Sequence, residues 1–131
     1  MSNYIAVPGL IADSDISGNQ FECVKMTGSE DFEVTKLGAN TDDVLGILQN
    51  DPDGADKAAE VAILGTCKAR LGGTVARGDF LEPDADGELV KYGEITDGSA
   101  ATINVLAMAL QSGVDQDVIM VALTGNQGNH S

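Results

Sequence analysis

Tryptophan is absent from this chain of 131 residues, and aromatic residues make up only 4% of it. A core without large rings has to be built from Val, Ile, Leu and Ala. Cations are scarce as well: 7 Lys and Arg stand against 21 Asp and Glu, a formal charge of −14. Such a surface repels phosphate backbones and anionic membranes. It speaks against nucleic-acid binding, which depends on clustered Lys and Arg. The same charge favours solubility and discourages free copies from associating. No apolar run approaches the ~20 residues of a membrane span. The stretch "MSNYIAVPGLIADSDISG" lacks the basic and apolar regions of a signal peptide. Synthesis in a cytoplasm, with no visible export route, is the expectation.

The residues that carry chemistry are equally sparse. The single histidine, His130, lies in the polar stretch "NQGNHS". A Ser–His or Cys–His nucleophile needs its base held rigidly by a third group, so His130 reads as a solvated side chain. Two cysteines, Cys23 and Cys67, fit no zinc or thioredoxin spacing. Both sit in apolar alternating runs and read as small buried hydrophobes; a Cys23–Cys67 disulfide is the other reading. No phosphate-cradling loop with a following Lys is present. Carboxylate pairs abound, but an acidic surface makes pairs by chance, and catalysis needs particular buried ones. The chain therefore reads as no enzyme, with no cofactor and no metal.

What the chain does have is glycine, 16 of them, and a hydrophobic share of 43%. That is one domain with many turns and short elements. "QFECVKM" (20–26) and "DFEVTKL" (31–37) flank the turn "TGSE" and give a hairpin signal. "VLGILQ" (44–49) suits a buried strand, and "AAEVAILGTCKARL" (58–71) is the longest strand candidate. "TVARGDFL" (74–81) bends at Gly78 and re-enters a strand, and "ELVKY" (88–92) alternates. "ATINVLAMALQ" (101–111) fits helix and strand spacing alike. An internal repeat favours strand for 103–110. "VLGILQN", an acidic loop and "EVAILGT" are echoed by "VLAMALQS", an acidic loop and "DVIMVALTG". Leu45 then aligns with Leu106, Ile47 with Met108, Val61 with Val118 and Ile63 with Met120. The expected fold class is all-β: a small β-barrel or tulip-like domain of short strands and hairpins with an irregular N-terminal arm. The divisions are an arm over 1–19, a β domain over 20–125 and a polar tail over 126–131.

Two stretches invite a site. In "PDADGELV", Asp84, Asp86 and Glu88 alternate around Gly87. An EF-hand loop counted from Asp84 has its glycine at the wrong place and Ile95 where a bidentate carboxylate is required. A turn is the better reading, since Asp caps its own backbone and Gly supplies positive φ. "DPDGAD" (51–56) reads as a turn for the same reasons. The other stretch is the arm, whose Tyr4, Ile5, Val7, Pro8, Leu10 and Ile11 are too apolar for a free tail. It should lie on its own domain or on a neighbour.

"NQFECVKMTG", "VLGILQNDPDGADKAAEVAILGTCKARLGG" and "VARGDFLEPDADGELVKYG" together resemble the phage capsid cement, or decoration, proteins. The matching parts are Gly46–Leu48, Asn50–Gly54, Val61–Ala69, Gly72–Leu81, Asp84–Gly87, Val105–Leu110 and Val118–Leu123, with Ala107 where the pattern has glycine. The resemblance covers roughly residues 18–124. It implies a protein added to the outside of an expanded phage head, bridging major capsid protein subunits, as a homo-oligomer (trimer). It implies a virion location, on the outer capsid surface, and no direct contact with DNA or membrane. The apolar arm residues from Tyr4 to Ile11 become candidates for capsid contact, for example by adding a strand to a sheet edge. The rival roles are a head-fibre base or tail adaptor, and a cation-dependent binding module.

Overall fold

Short runs rich in Val, Ile, Leu and Ala, bounded by turn residues, place most of the strands of the computed structural model, which describes residues 2–40, 42–92 and 106–123. Ten strands form in chain order: β1 (Asn3–Ala6), β2 (Ile11–Ala12), β3 (Cys23–Met26), β4 (Glu33–Lys36), β5 (Gly46–Leu48), β6 (Val61–Arg70), β7 (Phe80–Pro83), β8 (Leu89–Lys91), β9 (Ala107–Ala109) and β10 (Val118–Leu123). A single 3-10 turn at Ser17–Asn19 is the only helical element among the described residues. The small all-β domain expected from the sequence is what forms.

The strands make one sheet in the order β2-β4-β3-β5-β6-β10-β9-β7-β8, with β1 also paired to β6. β3 and β4 form the expected hairpin, Val24 opposite Lys36 and Met26 opposite Val34. The two halves of the internal repeat both fold as antiparallel pairs: β5 with β6, and β9 with β10. Residues 107–109 are strand, not helix. The sheet stays open, yet it curls. Just past β6, Leu71 bridges to Leu89, and the Gly72 amide donates to the Leu89 carbonyl at 2.9 Å. The last strand in the order thus lies back against the end of the longest one, which covers an edge.

β6 runs through two cores. The larger contains Ala62, Cys67, Ala69, Leu71, Leu81 and Val121; the smaller contains Leu10, Ile16, Val24, Val34, Leu48 and Val61. Ala62 and Cys67 enter the same core although five positions apart, which strict alternation forbids. Gly65 lies between them at φ +101°, and a Cβ there would collide with the backbone of Asn3 and Tyr4. The β1–β6 register slips between Ile5 opposite Leu64 and Ala6 opposite Ala62, and this bulge at Ile63 re-phases the strand, while Gly65 lets β1 approach.

Residues 2–19 hold two short strands and the 3-10 turn joined by irregular chain, and their own domain supports them. β1 pairs antiparallel with β6, Ile5 opposite Leu64, and β2 runs parallel to β4. Leu10, Ala12 and Ile16 are buried in the smaller core. Burying side chains of this size contributes about 1.5–3 kcal/mol for each leucine or isoleucine, so packing as well as strand pairing holds the segment.

Candidate functional site

The acidic turn between β7 and β8 is built by one aspartate. Asp84 Oδ1 accepts the amides of Asp86 at 2.9 Å and Glu88 at 3.0 Å. The Gly87 amide donates to the Asp84 carbonyl, and the Asp84 amide to the Glu88 carbonyl. Gly87 takes φ +87°, as the turn reading requires. One carboxylate oxygen from each of Asp84, Asp86 and Glu88 lies within 4.8 Å of the others. Gln116 donates its amide to Glu88 Oε2 at 2.9 Å. Nearby, Glu22 is buried, accepts from the Asn19 amide at 2.8 Å and lies 3.8 Å from Arg70 Nε.

Burial pushes both Asp84 and Glu22 above the usual carboxylate range, and the charge of Glu88 adds to both shifts. The backbone amides on Asp84 and the Asn19 and Arg70 groups on Glu22 pull the other way without winning. The arrangement costs electrostatic energy in order to close a turn against β3. Position Ile95, which decided the EF-hand count, falls outside the described residues. The second acidic loop is also a docked turn: Ile16 donates to the Pro52 carbonyl and Asp56 to that of Ala12.

Nucleophiles and bases are not assembled among the described residues. Cys23 and Cys67 are free thiols, both buried. Burial pushes the Cys67 thiol up to about 12 and raises Cys23 as well, so neither supplies thiolate near neutral pH. His130 lies outside the described residues. A hollow of about 430 Å³ is lined by Lys25, Met26, Asp43, Val44 and Leu45. Lys25 is already engaged by Asp42 at 3.0 Å, and the lining holds no convergent set of polar groups of the kind ligand sites use. Among the described residues, no helix is long and apolar enough to cross a membrane.

The six contact candidates in the N-terminal segment divide. Leu10 is buried, and Val7 packs against the smaller core. Tyr4 packs against the larger core and its hydroxyl donates to Glu60, which pushes the phenol up to about 12. Ile11 is half-buried. Only Ile5, 58% exposed, and Pro8 turn fully outward. Sequence reasoning missed a larger outward set. Phe80 and Leu64 are about half exposed on the same side of the sheet as Ile5. The repeat had equated Met108 with Ile47, yet Ile47 is in the core while Met108 is only half-buried on the outer face.

No protein-family model matches the chain. No curated protein matches it either. Among solved structures, it is similar to the N base of head fiber gp8.5 of bacteriophage phi29, with a TM-score of 0.65 and 17% identity over 95% of both chains. At that identity the likeness speaks for the fold: a small β domain of this architecture, end to end, is a known protein shape.

Proposed function

We propose that this chain is a structural protein of a phage virion, carried on the outer capsid surface as a decoration protein that braces the major capsid protein. The observation that carries the proposal is the fold likeness, over 95% of both chains, to the base of a phage head fibre. The motif resemblance to capsid cement proteins points to the same kind of particle from an independent direction. A brace needs rigidity and outward contact groups rather than a pocket. The described residues supply both: glycine-pinned strand crossings at Gly46 and Gly65, and outward apolar side chains such as Ile5 and Phe80. The charge of −14 keeps the chain off packaged DNA. In this role it acts as a homo-oligomer, trimeric as the resemblance implies, so that several weak contacts add up.

A head-fibre base is the second reading, and the same structural neighbour favours it. Copy number separates the two. Quantitative mass spectrometry of purified virions should find this chain at an abundance comparable to the major capsid protein if it is a decoration protein. A small fraction of that abundance selects the fibre base. Absence from virions overturns both.

A further inference from the structure

Among the described residues, Phe21, Phe32, Asp56 and Gln116 take positive φ without being glycine. For a bulky side chain this backbone is an outlier, and it persists where the surroundings enforce it. Phe21 is compensated from within the domain. Its amide donates to the Leu48 carbonyl at 2.6 Å, its carbonyl accepts the Arg70 amide at 2.8 Å, and Lys68 Nζ stands 5.9 Å from the centre of its ring. Phe32, at φ +60°, is held by its backbone instead. Its carbonyl accepts the Ile11 amide at 2.9 Å. The next residue, Glu33, is pinned twice by Thr27: its carbonyl accepts the Thr27 amide at 2.9 Å, and its carboxylate accepts the Thr27 hydroxyl at 2.7 Å. These bonds fix the chain on both sides of the ring without burying it. Phe32 is 60% exposed, more than any other large apolar residue described, and it belongs to neither core.

Glycine or asparagine would offer the same carbonyl at this φ with less strain. The free chain therefore gains little from a phenylalanine here: it bears a strained backbone and holds a ring in water. Met26, the last residue of β3 and so at the same end of the β3–β4 hairpin, is 42% exposed. Aromatic residues and Met are the side chains that the cores of protein interfaces favour. Glu30 and Asp31, both exposed, immediately precede the ring, and no Lys or Arg stands between Met26 and Val34. An acidic rim of this kind repels a second copy of charge −14, a phosphate backbone and an anionic membrane. It complements a protein surface whose apolar socket carries Lys or Arg at its margin. We propose that the tip of the β3–β4 hairpin is an anchor, with the Phe32 ring seated in such a cation-rimmed socket on a major capsid subunit. That the socket belongs to the capsid rests on the virion reading above; that the ring is an anchor rests on the tip itself.

The test is titration of expanded, undecorated heads with the full chain at about 0.05 M and about 0.5 M NaCl, where screening differs strongly, beside thermal melting of the free chain. Phe32→Gly and Phe32→Asn should each bind about tenfold more weakly or worse, as loss of an interface anchor does. Both should melt as high as the wild type or higher, because both relieve the positive φ. The double variant Glu30→Gln, Asp31→Asn should bind more weakly at the lower salt, and the difference should narrow at the higher salt. If the wild type binds and both Phe32 variants bind as tightly, the anchor is overturned and the virion reading stands. Phe32 variants that melt well below the wild type would show that the ring serves its own domain, which also overturns the anchor. A double variant that matches the wild type at the lower salt would overturn the cationic rim. A folded wild type that leaves the heads bare would overturn the virion reading and the socket together.

Discussion

Gly87 lies against Cys23: the Cys23 amide donates to the Gly87 carbonyl at 2.7 Å, and a Cβ on Gly87 would stand 2.8 Å from the Cys23 carbonyl oxygen. The acidic turn is thereby fastened to a strand that begins sixty-odd residues earlier. Gly87→Ala meets two penalties, the positive φ and the backbone clash. It should lower stability by about 2–3 kcal/mol. Urea unfolding checks this; a change under about 0.5 kcal/mol would show that the turn is not seated on β3.

The N-terminal segment separates packing from contact. Removing residues 2–11 takes away β1, its pairing with β6, and the buried Leu10. The truncated chain should lose its cooperative thermal transition, and Leu10→Ala alone should cost about 2–4 kcal/mol. Ile5→Ser, at an outward position, should leave the melting temperature close to wild type. A cooperatively folded truncation would contradict the placement of this segment in the domain.

The pH dependence follows from Glu22 and Asp84, both raised, chiefly by burial. In the window above the usual carboxylate range and up to their raised values, the folded protein holds more protons than the unfolded chain. Stability therefore rises as pH falls through that window, and the full penalty is present above it. Asp42 and Asp15 act oppositely. Partial burial pulls Asp42 up, but the Gly38 and Ala39 amides and Lys25 outweigh it, and Ser17 holds Asp15 down. What these two contribute is lost only at pH below the usual carboxylate range. The melting temperature should thus climb from pH 7.5 to roughly pH 5 and fall in stronger acid. Glu22→Gln, which keeps the acceptor for Asn19, should flatten the climb. A steady fall from pH 7.5 downward would contradict this reading.

Cys23 and Cys67 should be silent to thiol reagents in the folded protein and should both react once it is denatured, because each is fully shielded and its thiol is raised by burial. Stoichiometric labelling in native buffer would show that the larger core opens readily.

Much of the sheet was legible because its signals are local. The β3–β4 hairpin, the Asp84 turn and the β5–β6 pair each rest on alternation or turn chemistry within a few residues. The repeat also settled strand over helix for Ala107–Ala109, where periodicity was ambiguous. Long-range partners were not legible. β1 meets β6 through pairs such as Asn3 with Thr66, and nothing near Asn3 announces a strand 63 residues away. The contact candidates were chosen for being apolar, a property that burial and outward display share. Leu10 and Ile5 have the same composition signal and opposite fates. The outer face was hidden for a related reason. Met108 and Phe80 become neighbours only through the sheet order, which alternation within one strand does not encode.

The central claim is that this chain binds the outside of a phage head. Its most direct test is co-sedimentation of the purified protein with expanded, undecorated heads from the same source, counted as copies per major capsid subunit. The account predicts saturable binding at a fixed ratio to the capsid subunit, weakened by Ile5→Ser without loss of folding. Failure to bind at any concentration, with the protein folded and the heads expanded, would contradict it.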